Sequence, residues 1–227
     1  MAFQLWGVPH SRPTRDIDFL SYGNHSIDHI TKVIREICMI QIQEDGLQLE
    51  QRSLSAGPIR EGAQYEGVRV IFTWLLGRSR IPMVVDIGFG DILINSPIKA
   101  KIKPALPHMD KVNVLVYRPE TVFAEKLHAI AVWGSFNSRM KDYFDLLWII
   151  KEIRPDKKKV IEAVKATFKR RGSELPSVDI NGFTEDFAKA KQTLWKRFIE
   201  KNQLKDAPTE LADVIHTIKP FIDSLFR

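Results

Sequence analysis

The 227 residues, 44% hydrophobic and 27% charged, suit a folded soluble protein built as one large domain or as a core with a smaller second domain. No apolar run approaches the roughly 18 residues of a membrane-spanning helix, and "MAFQLWGVPH" has no basic region followed by an apolar one, so neither a span nor a secretory signal is expected. One cysteine, Cys38, excludes an internal disulfide or a cysteine-rich zinc site and fits a reducing cytoplasm; in "VIREICMIQI" it reads as a small buried hydrophobe.

In chain order, "TRDIDFL" (14–20) reads as a strand, and "SIDHITKVIREICM" (26–39) as a helix capped by Ser26 or Asp28. "LQLEQRSL" (47–54) alternates like a strand with one solvated face. "YEGVRVIFTWLL" (65–76) and "RIPMVVDIGFGD" (80–91) are two more β-rich runs around the turn "GRSR", which implies an antiparallel or mixed sheet. After a short strand, "VNVLVY" (112–117), the pattern turns helical: 119–133 with Pro119 in the first turn, then 139–153, 157–171, 184–201 and 208–226, the last bent or divided at Pro220. The expected class is α+β, with a sheet core over 1–117 and a helical subdomain over 118–227. The net charge of +6 gathers at 154–172 and 188–202, which either face solvent or meet a polyanion.

Asp16 and Asp18 are two apart on a strand, so both project from one face. Like charges so placed repel, and a hard divalent cation, which takes oxygen ligands, relieves the repulsion. Ile17 and Phe19 are expected to anchor the opposite face in a core. Asp86 ends the apolar run "IPMVV" and is open to two readings, a turn with Gly88 and Gly90 or a third metal-binding carboxylate. Asp91 fits the turn. Lys126 follows Glu125 in a mostly apolar helix and either pairs with an acid or directs its ammonium at a triphosphate. In "SRMKDYFDLLWI", Asp142 and Asp145 share a helix face, and Asp142 also stands where the helix dipole favours an acid. His128 and the other histidines show no metal-ligand spacing and read as structural.

Together, "SRPTRDIDF", "VVDIGFGD", "VYRPETVFAEKLHAI" and "SRMKDYFDLLWI", in this order, resemble the AbiEii/AbiGii-type nucleotidyltransferase toxins of the DNA polymerase β-like superfamily. The resemblance runs to about residue 150, and the last third matches only in being helical. It implies a nucleotidyltransferase fold and transfer of a nucleotide from an NTP, with Mg²⁺ or Mn²⁺ held by Asp16, Asp18 and Asp86. It further implies that Lys126 acts on the nucleotide phosphates and that Asp142 is the carboxylate of the last motif, with Arg12, Thr14 and Lys141 as further nucleotide-binding candidates. The implied acceptor is RNA, at a tRNA 3′ end, and the implied setting is a cytoplasmic toxin in abortive infection beside a cognate antitoxin. Two metals can activate a hydroxyl and neutralise leaving pyrophosphate, so carboxylates and lysine suffice for such chemistry. The basic segments at 154–202 are the expected RNA contacts.

The resemblance also implies a Gly-Ser, Gly-Gly or Gly-Ala pair at a helix start roughly fourteen residues ahead of the D-x-D, where backbone N–H groups approach a triphosphate. Counted back from Asp16, that pair falls before Met1, and Gly7-Val8 is too near. Three expectations stay open: a start codon placed downstream of the true one, a short chain that binds NTP weakly, and a degenerate relative that binds nucleotide, RNA or a partner without turnover.

Overall fold

A computed structural model of the chain describes all residues except 1, 9–11, 15, 41–45, 60–66, 91–92, 95, 105–108, 177–178 and 227. The chain opens with one helical turn, α1 (Ala2–Leu5), and separates into two compact units, Thr14–Asp91 and Met1–Pro13 with Ile92–Arg227.

The smaller unit is a five-stranded mixed sheet with one helix. β1 (Asp16–Ser21) leads to α2 (Ile27–Cys38), followed by β2 (Leu47–Leu49), a 3-10 turn at Gln51–Ser53, β3 (Ser55–Ile59), β4 (Gly67–Leu76) and β5 (Ser79–Phe89). The strand order is β1-β5-β4-β2, with β3 also paired to β4; β1 runs parallel to β5 and the remaining pairs are antiparallel. The Ser26 hydroxyl accepts from the His29 N–H and starts α2, whose Ile30, Ile34 and Cys38, at helical spacing, pack with Val68, Val70, Phe72, Val85 and Ile87 of the sheet. Strand parity therefore sends Asp16, Asp18, Arg69 and Asp86 to the other face. Gly77, at φ +58°, makes the tight β4–β5 turn.

The larger unit holds a separate two-stranded ribbon, β6 (Ile98–Ile102) with β7 (Val112–Val116), and helices α3 (Pro119–Trp133), α4 (Met140–Trp148), α5 (Lys157–Arg170), α6 (Glu185–Lys201) and α7 (Leu211–Asp223). Its core is assembled from α3 to α7 around Phe123, Leu127, Phe144, Leu147, Trp195 and Ile215, all at most 2% exposed. Trp195 satisfies its indole by donating to the Pro208 carbonyl at 2.8 Å.

The α+β class holds, with a mixed sheet and a helical C-terminal region. Local details differ from expectation. The segment 47–54 divides into a three-residue strand and a 3-10 turn, because Ser53 turns inward to accept the Thr73 N–H through its hydroxyl. The helix at 139–153 ends its α-helical part at Trp148 and continues as a π-turn over Ile149–Ile153, closing on Arg154 in the left-handed region. α7 runs through Pro220 without division. The ribbon groups with the helices, and the compact sheet unit spans Thr14–Asp91. Asp91 lies outside the described residues.

Candidate active site

In the smaller unit, register brings the carboxylates together. Asp18 is the direct partner of Asp86 across the parallel β1–β5 pair, and Asp86 is in turn the partner of Arg69 across β4–β5. Asp16, two residues before Asp18, shares its face. Asp86 is therefore inside β5 rather than at a strand end, which removes the Gly88–Gly90 turn reading. Arg69 grips it through a two-pronged contact, Nε to Oδ1 and Nη2 to Oδ2, each 2.7 Å. Asp16 and Asp18 are solvent-exposed. Of the two residues expected to anchor β1, Ile17 packs on the core while Phe19 stays 55% exposed.

Among the described residues, no group of three or more His, Cys, Asp or Glu forms a ready cation cage. The donor chemistry nevertheless fits Mg²⁺ or Mn²⁺, since hard oxygen ligands share one solvent face and Mg²⁺ usually takes one or two carboxylates plus substrate phosphates. Asp16 and Asp18 meet that need while Arg69 occupies both oxygens of Asp86.

In the larger unit, a second charged centre is buried between α3 and α4. α4 is apolar on all sides and almost fully buried, yet carries Asp142 and Asp145, each 1% exposed. Such carboxylates require partners. Lys126 reaches both, Nζ lying 3.0 Å from Asp142 and 2.7 Å from Asp145. Arg12 adds a fork to Asp145 at 3.0 and 2.9 Å, and Arg139 donates to Asp142 at 2.9 Å. Burial pulls the Lys126 pKa down, but Asp145 and then Asp142 more than offset it and hold it above the ordinary lysine value. Burial likewise pushes the Asp142 carboxyl up, and Lys126 followed by Arg139 outweighs this and lowers it. Both groups stay charged at neutral pH. The neighbouring Tyr143 hydroxyl is pushed up by burial and by Asp142, and donates to the Gly182 carbonyl at 3.0 Å.

The other side of α3 carries a structural cluster. Arg171 pairs with Glu125 and donates to His128 Nδ1 at 3.1 Å, which leaves Nε2–H to donate to the Ser173 hydroxyl at 2.9 Å. Burial, then the Arg171 charge, lowers the His128 pKa to about 4, so the ring is neutral. An open cleft of about 220 Å³, lined by Phe168, Ser173, Glu174 and Asp179 among others, contains none of the candidate residues.

The candidates thus fall into two groups. Asp16, Asp18 and Asp86 share a sheet face in one unit, where the Thr14 hydroxyl donates to the Asp16 carbonyl at 3.1 Å. Arg12, Lys126 and Asp142 join one network in the other, with half-buried Lys141 adding its charge beside Asp142. Sequence reasoning omitted Asp145, Arg139 and Arg69 as site residues. The i, i+3 spacing of Asp142 and Asp145 was the available signal for the first; Arg69 becomes visible only through strand register.

The profile described as "Nucleotidyl transferase AbiEii toxin, Type IV TA system" matches residues 1–217. No curated protein matches significantly. Two solved structures are similar in fold. One is a presumed nucleotidyltransferase from H. pylori, 14% identical, with a TM-score of 0.52 over 99% of this chain and 82% of that one. The other is JHP933 from Helicobacter pylori, 13% identical, with a TM-score of 0.50 over 99% and 80%. At those identities they establish the fold alone. The profile covers nearly the whole chain, and the chain belongs to the AbiEii nucleotidyl transferase toxin family of type IV toxin–antitoxin systems.

Proposed function

We propose that this chain transfers a nucleotide from an NTP to the 3′ hydroxyl of an RNA, with tRNA as the acceptor class, and that it does so in the cytoplasm as a toxin countered by a cognate antitoxin. The observation that carries the reading is the row of carboxylates on the solvent face of the sheet, Asp18 in register with Asp86 and Asp16 on the same face. In the reaction, the RNA 3′ hydroxyl gives its proton to water as its oxygen bonds to the α-phosphorus, the bond from that phosphorus to the oxygen bridging to the β-phosphate breaks, and pyrophosphate leaves. Such transfer depends on positioning and charge stabilisation more than on covalent chemistry by the protein.

In this reading Asp16 and Asp18 hold Mg²⁺ or Mn²⁺, and Asp86 joins them when Arg69 gives up a carboxylate oxygen. The cation supplies charge neutralisation at the phosphates when bound. Lys126 is paired twice, so it serves the nucleotide by exchanging one carboxylate for a phosphate oxygen. Asp142 and Asp145 hold its charge and direction until then, and Arg12 braces Asp145. Thr14 and Lys141 remain nucleotide-binding candidates. The basic surfaces at 154–202 supply RNA phosphate contacts.

The two-pronged hold of Arg69 on Asp86 favours one second reading, a relative that binds nucleotide or RNA without turnover. Incubating the protein with Mg²⁺, each labelled NTP and total RNA separates the two. Label at RNA 3′ ends that disappears in Asp18→Asn supports transfer. Absence of label with all four NTPs, alongside retained nucleotide binding, sinks transfer and leaves the second reading.

A further inference from the structure

The ribbon β6–β7 has no part in the chemistry described above. Its residues sort by face, with Leu115 the one apolar side chain among the lysines. Ile98, Ala100 and Ile102 pair with Val116, Val114 and Val112, while Lys99 pairs with Leu115 and Lys101 with Asn113 on the reverse side. Lys103 continues the alternation past the end of β6, and Lys111 precedes β7. All four lysines are exposed, and among the described residues none of them is paired with a carboxylate. Over 96–118 the chain carries five basic residues and one acid, the exposed Asp110. The outer faces of α5 and α6 are also basic, but there the charge is interrupted by Glu162, Glu185, Asp186 and Glu200, and Lys196 is paired with Glu210 at 3.5 Å.

The ribbon is also anchored. Arg118 Nε donates to the Ser96 carbonyl at 2.9 Å and ties its base, and the Trp6 indole donates to the Tyr117 carbonyl at 3.1 Å. β7 ends at Val116 and α3 begins at Pro119, so the ribbon runs almost directly into the helix that carries Lys126.

We propose that the β6–β7 ribbon is an RNA-backbone-binding arm, in which Lys99, Lys101 and Lys103, with Lys111, contact successive phosphates and lead the strand toward α3. Residues two apart on a strand are about 6.6 Å apart, so the three lysines form a line about 13 Å long, the shape of a nucleic-acid backbone. The exposed apolar side chains on the ribbon, Val112 and Leu115, are only two. Two such side chains bury little in a lipid surface, which favours RNA over a membrane. This arm rests on the reading of RNA as the acceptor and specifies where that RNA is held.

The experiment titrates fluorescent bulk tRNA with the full chain and with Lys99→Glu/Lys101→Glu/Lys103→Glu at several salt concentrations. A Lys→Gln set of the same three sites and circular dichroism guard against misfolding. The Glu set is expected to weaken binding at least tenfold, and the Gln set to lower the salt slope by about 2 to 3, near 0.7–0.9 per lost phosphate contact. Unchanged affinity and slope in both sets overturn the proposal, as does a wild-type chain that does not bind tRNA. Loss of binding to phosphatidylglycerol vesicles with tRNA binding intact also overturns it, in favour of a lipid surface. Binding is read without turnover. Normal tRNA binding with no nucleotide label therefore removes the transfer reading and leaves the arm, whereas labelling by the Glu set at wild-type KM removes the arm and leaves transfer.

Discussion

The Lys126 ammonium lies 2.7 Å from Oδ2 of Asp145, a carboxylate 1% exposed on the largely buried helix α4. Two further cations, Arg12 and Arg139, join the network through Asp145 and Asp142. Asp145→Ala leaves the half-buried Lys126 and Arg12 facing each other with one carboxylate fewer. Its expected cost is about 3–5 kcal/mol, read as a lowered urea midpoint, with a smaller loss for Asp145→Asn. A cost below about 1 kcal/mol in the alanine variant would show that solvent already screens the network.

Asp16 and Asp18 are exposed, so their removal tests metal binding with little risk to the fold. Asp16→Asn and Asp18→Asn are expected to change stability by less than about 0.5 kcal/mol, or to raise it slightly through relieved repulsion. The wild-type chain should gain thermal stability on adding Mg²⁺, about 2.7 kcal/mol at a hundredfold excess over Kd. Both variants should lose that gain. A variant that still shows it removes its aspartate from the metal set.

Arg69 controls whether Asp86 can act as a ligand. Its side chain is 45% exposed, so Arg69→Gln is expected to cost no more than about 1 kcal/mol. It frees both Asp86 oxygens and should tighten Mg²⁺ binding several-fold by calorimetry. Weaker Mg²⁺ binding would instead show that Arg69 organises the carboxylates.

His128 gives the larger unit a defined acid sensitivity. Its pKa of about 4 lies below the ordinary value of 6.5, because burial and Arg171 disfavour the imidazolium. The unfolded chain therefore takes up a proton that the folded chain refuses. Its contribution to stability is complete above pH 6.5 and is lost as pH falls toward 4, a change of about 3 kcal/mol. His128→Gln should flatten this part of the stability profile. An unchanged profile would show that other groups dominate it.

Gly182 marks a close approach rather than a turn. A Cβ there would stand 2.6 Å from Ile130 Cγ2 and 2.9 Å from the Tyr143 hydroxyl oxygen. Gly182→Ala is expected to cost about 1–3 kcal/mol by overpacking, seen as a lower Tm. An unshifted Tm would mean that α3 and its neighbours accommodate the methyl group.

Much of the site was legible because short-range periodicity governs it. Strand alternation alone puts Asp16 and Asp18 on one face, and helix spacing alone puts Asp142 and Asp145 on another. Lys126 in an apolar helix already demanded a partner. The missing pieces were long-range. Arg69 and Asp86 are 17 residues apart, and their contact depends on the β4–β5 register. Arg12 and Asp145 are 133 apart, and no local pattern joins them. The strand β6 also escaped, because its five residues carry two lysines and read as a polar connection until β7, itself legible at 112–117, supplies hydrogen bonds.

By itself the sequence determined the α+β class, the order of its main helices and the motif residues, because these follow from side-chain periodicity and residue chemistry within a few turns of chain. Only the tertiary structure decided which charge answers which. It gave Asp86 to Arg69 and Lys126 to two carboxylates, and set four exposed lysines along one ribbon. Those outcomes depend on register and burial, which bring distant residues within about 3 Å and remove the water that would otherwise serve each of them.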